Sequence, residues 1–426
     1  MFFPEEFLHF IWQFRLYSSQ KLHATSGEEI VVLKTGSLNK NAGPDFTNAK
    51  LQIGETIWVG NVEIHLKSSD WFLHQHQFNG AYENVILHVV YEDDQQIYRT
   101  DGTAIPVLIV KDLFPAYLVD QYERLITSTN LFPCEKQIHQ VEEFIIHNFL
   151  SRVMVERLVQ KAVDVEQQLV RLKGDWDETF YHFVAKSFGF KVNAIPMEIL
   201  AQSLPHQLFA RHKDHPLQVE ALVFGQAGFL NQKFAEPYPK ELKREYTFLK
   251  KKYHLKSIDV SLWKFMRMRP QNFPTIRLAQ FAALILASNH LFSKVLMIKN
   301  HQNLQKLFEN LPVNSYWETH YHFNKNATKV SLQLGKASIQ HILINTLSLF
   351  LFVYGQKMDQ YHFVTRAINL LESLPPENNA IIKQYVDADV TVKNAFTSQA
   401  LLQLKKMYCN EKKCLNCGIG IKILKP

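Results

Sequence analysis

The most constraining feature is the stretch from Ile57 to Leu66, which ends in an alternation of polar and apolar residues. A period of two is typical of a β-strand, whose successive side chains point to opposite faces. Glu63, His65 and Lys67 therefore share one face of a predicted strand, and the apolar residues between them share the other. Any fold of this chain must place these three ionisable side chains side by side on a sheet.

A second acidic residue, Asp45, lies upstream in the turn-forming sequence Gly43-Pro44-Asp45-Phe46. An aspartate that enters one strand of a hairpin can meet a glutamate on the next strand. Two such carboxylates suit a hard cation such as Mg²⁺ or Mn²⁺, and a nearby nitrogen base can hold or deprotonate water. The pattern predicts metal-dependent phosphodiester cleavage. The predicted catalytic residues are Asp45, Glu63, His65 and Lys67.

This arrangement resembles the PD-(D/E)xK nuclease superfamily. The predicted elements run in the order helix 5–17, strand 29–34, hairpin 50–67, a helical or irregular crossover at 70–82, and strand 84–91. That order is the core order of the superfamily. The resemblance implies that a glutamate of the first helix joins the metal ligands Asp45 and Glu63, with Glu6 preferred over Glu5.

The chain departs from the superfamily at one position. There, a lysine follows the acidic residue by two positions, whereas here position 65 is histidine and the lysine is Lys67. Either His65 or Lys67 can take the role of the lysine, since both share a face with Glu63. The departure equally fits a degenerate site, which leaves a non-catalytic nucleic-acid-binding protein as an alternative.

A second resemblance is broader. Its motifs are Gly36-Ser37, Gly43-Pro44-Asp45-Phe46, Val62-Glu63-Ile64-His65, Ser69-Asp70-Trp71, His74-Gln75-His76 and Val85-Ile86-Leu87-His88-Val89-Val90. They resemble an uncharacterised family of bacterial proteins known as domain of unknown function 2851. The likeness covers nearly the whole chain, cysteine-rich end included. It brings no assigned activity.

Composition indicates a folded, mostly helical chain. Among 426 residues, 46% are hydrophobic and only 15 are glycine, which allows a sizeable core in two or three domains. The start lacks the basic region and cleavage site of a signal peptide. The longest apolar run, Ile342 to Tyr354, is too short to span a bilayer. We therefore expect no membrane contact and a cytoplasmic location.

The predicted fold class is α+β, followed by mostly α-helix. Short strands and turn signals fill the first part, and apolar residues recur at helical spacing beyond it. The predicted domains are a nuclease-like α/β domain with a small mixed sheet (1–115), a connector (116–139), a basic helical domain (140–400) and a cysteine-rich tail (401–426). No P-loop or dinucleotide fingerprint accompanies them.

Positive charge is concentrated between Glu236 and Arg277. This segment has eleven basic and four acidic residues, so its excess equals the formal charge of +7 for the whole chain. Interleaved aromatic residues are Tyr238, Tyr246, Tyr253, Trp263 and Phe265. Basic and aromatic side chains together can neutralise phosphates and stack on bases, which predicts nucleic acid as a partner. The alternative is a solvated helix face with the aromatic side chains in the core.

Three of the four cysteines are bunched near the end of the chain. They form the pattern Cys409-x₄-Cys414-x₂-Cys417, followed by Gly418 and Gly420. The close Cys-x₂-Cys-Gly turn lets two thiolates face one metal ion. Cys134, the remaining cysteine, is the predicted fourth ligand, although a histidine can replace it. Four thiolates suit Zn²⁺ or an iron–sulfur cluster, and incidental free cysteines are the alternative.

Histidines also cluster in the first part of the chain. His65, His74, His76 and His88 fall within one short stretch and can form a zinc or manganese site. This pattern favours a third hypothesis, a transition-metal hydrolase of another substrate. Because nineteen histidines are spread along the chain, hydrogen-bonded core histidines are the competing interpretation.

Overall fold

The computed structural model describes residues 3–18 and 22–425. The chain forms two units. The first comprises Met1–Ser151, Asn379–Thr391 and Leu401–Pro426, and the second comprises Arg152–Asn378 and Val392–Ala400. The segments predicted as a connector (116–139) and as a tail (401–426) both belong to the first unit.

A seven-stranded mixed sheet forms the centre of the first unit. Its strands are β1 (Leu22–His23), β2 (Glu29–Lys34), β3 (Ser37–Leu38), β4 (Phe46–Ile53), β5 (Thr56–Lys67), β6 (Val85–Glu92) and β7 (Val107–Ile109). The spatial order is β1-β2-β4-β5-β6-β7, and β3 pairs with β4. Pairs up to β4–β5 are antiparallel, whereas β5–β6 and β6–β7 are parallel.

Helices make up most of the remaining structure. In chain order they are α1 (Glu5–Gln13), α2 (Asp70–Leu73), α3 (Ala116–Thr127), α4 (Glu143–Arg171), α5 (Trp176–Phe188), α6 (Ala194–Ser203), α7 (His206–Ala210), α8 (Pro216–Gln226), α9 (Pro237–Lys252), α10 (Pro274–Ala287), α11 (Leu291–Met297), α12 (His301–Lys306), α13 (Lys336–Ile342), α14 (Ser348–Lys357), α15 (Tyr361–Ser373), α16 (Ala380–Asp387), α17 (Ala395–Leu404) and α18 (Gly418–Leu424). The second unit also has a small hairpin of β8 (His320–His322) and β9 (Lys325–Asn326). The predicted class, α+β followed by a helical region, is confirmed at this level.

Helix α1 packs against β5 through an apolar face. It is amphipathic as predicted, but it ends at Gln13 instead of continuing to residue 17. The backbone of Arg15 takes a left-handed conformation (φ 51°), which breaks the helical path. The Arg15 guanidinium then donates to Leu33 O at 2.9 Å, so the chain turns back towards β2.

A short crossover joins the parallel strands β5 and β6. It consists of α2 and two 3₁₀ turns, His76–Phe78 and Gly80–Tyr82. Its start is fixed by Asp94, whose carboxylate accepts hydrogen bonds from the Ser68 and Ser69 side chains at 3.1 and 2.9 Å. Parallel strands require such a crossover. Here it brings two histidine-bearing turns close to the end of β5.

Other predictions for this unit met mixed outcomes. Strand 29–34 is confirmed as β2, and the hairpin and the strand at 84–91 are confirmed as β4–β5 and β6 with slightly different ends. The segment predicted as a connector contains α3. The Tyr122 and Leu125 side chains of α3 are buried, which shows that this segment contributes to the core.

One helix of the second unit satisfies the length and hydropathy criteria for a membrane span. It runs from Lys336 to Lys357 through α13, a π-helical turn and α14, and 67% of its most apolar window is buried inside the protein. The sequence argument that the apolar run is too short therefore fails, because the helix extends beyond the run. Its burial is typical of a core helix.

A buried carboxylate organises part of the second unit. Glu178 Oε1 lies 3.1 Å from His182 Nε2, and Glu178 Oε2 contacts His206 Nδ1 and accepts from the His206 backbone N–H at 2.9 Å. Burial opposes ionisation of this group, but the hydrogen bonds from the two histidines lower the pKa of Glu178 to about 2. The hydrogen bond between the His206 and Glu178 side chains also raises the pKa of His206.

Replacing His206 with glutamine should therefore cost more stability at pH 6 than at pH 9. Because the pKa of His206 is raised, the charged pair of His206 and Glu178 contributes its full stabilisation below about pH 6.5. This stabilisation is lost as the pH rises through the pKa of His206 in the folded protein. We expect the free energy of unfolding to fall by roughly 1 kcal/mol at pH 6. Denaturant unfolding of the full chain measures it, with the exposed His215→Gln as control. An equal cost at both pH values would contradict the assignment.

Candidate metal centre

The candidate site begins with a contact between Asp45 and Glu63. The pairing of β4 with β5 starts at Phe46, which faces Val62, and Asp45 precedes it. Asp45 Oδ2 accepts a hydrogen bond from the Ile64 backbone N–H at 2.9 Å, and the Asp45 backbone N–H donates to Glu63 Oε2 at 3.0 Å. We call these two hydrogen bonds the carboxylate clasp. The clasp extends the strand pairing by means of side chains and fixes both carboxylates.

Helix α1 adds two ionisable groups to Asp45. Glu5 and His9 lie one helical turn apart, and one ligand atom from each of Glu5, His9 and Asp45 lies within 4.8 Å of the others. His9 Nε2 is 3.2 Å from Asp45 Oδ2 and 3.8 Å from Glu5 Oε1. We call this set the helix group. Glu6, which the sequence favoured over Glu5 as a metal ligand, is exposed and does not belong to the helix group.

The crossover adds a second set beside Glu63. His65, His74 and His76 each offer a ring nitrogen, and these three atoms lie within 4.8 Å of one another. His65 Nε2 is 3.1 Å from His74 Nδ1, and Glu63 Oε1 is 3.4 Å from His65 Nε2 and 3.1 Å from His76 Nε2. We call these histidines the histidine group. One oxygen of Glu63 thus faces the histidine group, while the other belongs to the carboxylate clasp.

Two of the ring nitrogens are close to carboxylate oxygens without being aligned for hydrogen bonding. His9 Nε2 and His76 Nε2 are both buried, and neither has a hydrogen-bond partner in the described structure. Yet they lie 3.2 and 3.1 Å from Asp45 and Glu63 oxygens. Nitrogen and oxygen atoms that approach closely but point past one another are typical of ligands converging on one ion.

His88 supports the histidine group from behind. Its Nε2 lies 2.8 Å from His65 Nδ1. In the tautomer in which His65 Nδ1 donates to His88 Nε2, His65 Nε2 keeps a lone pair that can bind an ion. The His76 ring stacks on Tyr82 at 3.8 Å and meets the edge of Trp71. These contacts hold the imidazole planes in fixed orientations.

The ionisation of the site reflects its burial. Burial, followed by the charge of Asp45, raises the pKa of Glu5 to about 7 and also raises the pKa of Glu63. Burial and the neighbouring histidines lower the pKa of His65 to about 2, and burial with a neighbouring histidine lowers that of His88 to about 3. Neutral imidazoles are the form that binds metal ions, and a cation would displace the protons of the carboxyl groups.

Lys67 does not join these groups. Its Nζ lies 3.9 Å from Glu92 Oε2, its side chain is 48% exposed, and it follows Glu63 by four residues, roughly 13 Å along a strand. His65 is only 1% exposed, with both ring nitrogens close to other histidines. The geometry therefore suits His65 as a ligand, and it places Lys67 outside the helix group and the histidine group.

Solvent reaches both groups. Glu63 and His65 are buried, but the Asp45 and Glu5 side chains are 20% and 30% exposed and His74 is exposed. A small ligand can therefore approach the helix group at Asp45 and the histidine group at His74.

The basic segment in the second unit is largely at the surface. Ten of its eleven basic side chains are exposed. The exception is Arg277, which is buried and hydrogen-bonded to Gln280 and Asn272. Tyr246 and Trp263 are buried too. Stacking of bases on these two aromatic residues is therefore excluded in this structure, and the exposed surface offers positive charge.

The cysteines are separate from these groups in membership, although the turn Cys414–Asn416 contacts α1. All four are buried and free, and all four belong to the first unit. None of them is a member of the helix group or the histidine group.

Sequence reasoning missed His9 altogether and ranked Glu5 below Glu6. A signal was present, since Glu5 and His9 are four residues apart and therefore on one face of a helix. Which face meets the sheet depends on the apolar residues Phe7 and Ile11, which are buried.

A family comparison matches most of the chain. The model of a family described as a protein of unknown function, DUF2851, matches residues 5–380. The chain belongs to this family. The match includes every residue of the helix and histidine groups, but it ends before the three bunched cysteines. No curated protein and no solved structure matches this DUF2851 chain.

The carboxylate clasp can be tested through stability. Replacing Asp45 with alanine leaves the Ile64 N–H without its acceptor, which typically costs about 1–3 kcal/mol. Asp45→Asn removes the same charge but keeps an oxygen that can accept this hydrogen bond. We expect Asp45→Ala to unfold at lower denaturant concentration than Asp45→Asn, and equal midpoints would contradict the clasp.

Proposed function

We propose that this DUF2851 chain is a metal-dependent phosphodiesterase that acts on nucleic acid. The observation that carries the proposal is the carboxylate clasp of Asp45 and Glu63, with Glu5 of α1 beside Asp45 in the helix group. The order of elements adds support: a helix, antiparallel strands and a crossover to a parallel strand correspond to the core order of the PD-(D/E)xK nucleases.

The donor set fits a divalent cation. Three carboxylates are hard oxygen ligands, and the imidazoles of His9 and the histidine group extend the choice from Mg²⁺ to Mn²⁺. A cation held there would stabilise negative charge on a phosphate and lower the pKa of water. The carboxylates of Asp45 and Glu63 are already fixed by the clasp, so little reorganisation is needed for binding.

His9 is the residue best placed to move a proton. Its Nε2 lies 3.2 Å from Asp45 Oδ2, and the Asp45 side chain is 20% exposed. Burial alone would lower the pKa of His9, but the Asp45 contact and the charges of Glu5 and Glu6 raise it. A histidine in this position can exchange a proton with a reacting group at the Asp45 side.

The exposed basic residues of the second unit supply a means of binding the substrate. Their charges can neutralise backbone phosphates, while the buried aromatic side chains cannot stack on bases. This combination predicts binding that depends on salt and little on base sequence. We therefore infer recognition of the nucleic-acid backbone.

The direct test is cleavage of labelled single- and double-stranded DNA and RNA in Mg²⁺ or Mn²⁺. We expect Asp45→Asn to reduce the rate at least about a hundredfold, because it removes a charged ligand of the cation. Lys67→Ala is the matched control, since this residue shares the β5 face but lies outside the groups. It should retain the parent rate.

The outcomes separate the leading proposal from its main alternative. Cleavage that survives Asp45→Asn would remove the carboxylate clasp from the mechanism. Salt-dependent binding without any metal-dependent cleavage would instead favour a non-catalytic nucleic-acid-binding protein on a degenerate core.

The histidine group favours a second candidate function, a transition-metal hydrolase of another substrate. Three neutral imidazoles with Glu63 form a donor set that suits Zn²⁺ or Mn²⁺. In this case His65, His74 and His76 would be the ligands, and His88 would position His65. Asp45 would then act only through the clasp.

Calorimetric titration with Zn²⁺ tests this second candidate. We expect His76→Ala to abolish one class of binding site. His88→Gln should weaken that class by about 10–100-fold, because a ligand loses its orienting partner. The exposed His23 on β1 provides the control substitution, His23→Ala. Because each variant is compared with the parent, binding at the cysteines cancels, and unchanged affinity in His76→Ala would refute the site.

A further inference from the structure

The structure brings four cysteines that are distant in sequence into one buried cluster. Cys134 follows α3, whereas the others come from the last residues of the first unit, and no cysteine is more than 9% exposed. The Phe132 ring, two residues before Cys134, stacks on Tyr385 with 4.2 Å between the ring centroids. The Tyr385 hydroxyl is in turn 3.6 Å from Cys409 Sγ, so the segment of Cys134 lies beside Cys409. We call them the cysteine cluster; its members are Cys134, Cys409, Cys414 and Cys417.

The backbone between Cys414 and Cys417 makes a close turn. The Cys417 N–H donates a hydrogen bond to Cys414 O at 3.3 Å, and Cys417 O accepts one from the Ile421 N–H at 2.8 Å. A side chain at Gly420 is excluded, because a Cβ there would lie 2.4 Å from Cys414 O. A close Cys-x₂-Cys turn followed by glycine lets two thiolates face one metal centre.

The side chains around the cluster also compensate negative charge. Lys405 and Lys412 each contact a backbone carbonyl of the segment before Cys134, at Leu131 and Ser128. Lys405 begins the π-helical turn that ends at Cys409, and the Lys412 backbone N–H donates to Cys409 O at 3.2 Å, so both lysines belong to the backbone around this cysteine. The buried Tyr385 hydroxyl is 3.6 Å from Cys409 Sγ. Four thiolates need such compensation in a buried position.

The separation of the sulfur atoms distinguishes between metals. A single tetrahedral Zn²⁺ holds its four sulfur atoms about 3.8 Å apart, given Zn–S bonds of about 2.3 Å. Among the described residues, however, no three cysteine sulfurs lie within 4.8 Å of one another, although the members of the histidine group do. An iron–sulfur cluster distributes the thiolates over two or more irons and therefore separates them more widely.

We propose that the cysteine cluster binds an iron–sulfur cluster, which fastens the C-terminal segment of the chain to the segment that follows α3. This proposal is independent of the proposed phosphodiesterase function, because the cysteine cluster shares no residue with the helix or histidine groups. The family match ends before Cys409, so the proposal concerns this chain and not the family as a whole.

The test is metal and sulfide analysis of the full chain purified without oxygen. We expect about two or four irons per chain, an equal amount of acid-labile sulfide, and visible absorbance that falls on reduction and is lost when acid destroys the cluster. Stoichiometric zinc without sulfide would overturn the iron–sulfur assignment. Absence of both metals, or a disulfide between any two of these cysteines, would overturn the whole proposal.

Variants locate the metal. Cys134→Ser and Cys417→Ser should each lose most of the iron, because each removes one of four ligands. Lys413→Ala changes an exposed residue in the same segment and should keep it. His76→Ala should also keep the iron, which separates this site from the histidine group.

If the serine variants fail to fold, the metal and sulfide analysis of the parent protein still decides whether an iron–sulfur cluster is bound. Iron retained in full by a soluble Cys134→Ser variant would remove Cys134 from the ligand set and contradict the proposed link between the two segments.

Discussion

The carboxylate clasp is the interaction on which the rest of the site depends. Strand pairing alone would leave Asp45 and Glu63 as two repelling acids at the end of a ladder. The two backbone N–H groups at Asp45 and Ile64 instead give each carboxylate a partner. Once Glu63 is fixed, β5 and the crossover bring the histidine group to its other oxygen. The clasp therefore determines where both groups lie.

Much of this could be predicted from the sequence. The alternation around Glu63 identified β5 and the face that carries His65, and the turn before Asp45 identified the hairpin. Neighbours in sequence also revealed His74 and His76 as candidates. These predictions rest on the alternation of residues along a strand, and a folded sheet keeps this alternation because successive side chains point to opposite faces.

The remainder depends on packing that no local pattern contains. Which face of α1 meets β5 decides between Glu5 and Glu6, and the rest of the apolar core determines that face. The length of β5 separates Lys67 from the site. Similarly, neighbouring helices bury Tyr246 and Trp263. The mixture of basic and aromatic residues between Glu236 and Arg277 therefore did not reveal which of these side chains solvent can reach.

Glu63 presents one oxygen to the histidine group, while the other is held by the residue that belongs to the helix group. Binding of an ion to one group would therefore change the free energy of binding an ion to the other. An ion at the histidines would fix Glu63 as an anion and strengthen the field at Asp45, whereas repulsion between two ions acts in the opposite direction. By thermodynamic reciprocity, each ion changes the affinity of the other by the same factor, so the two groups form one coupled system.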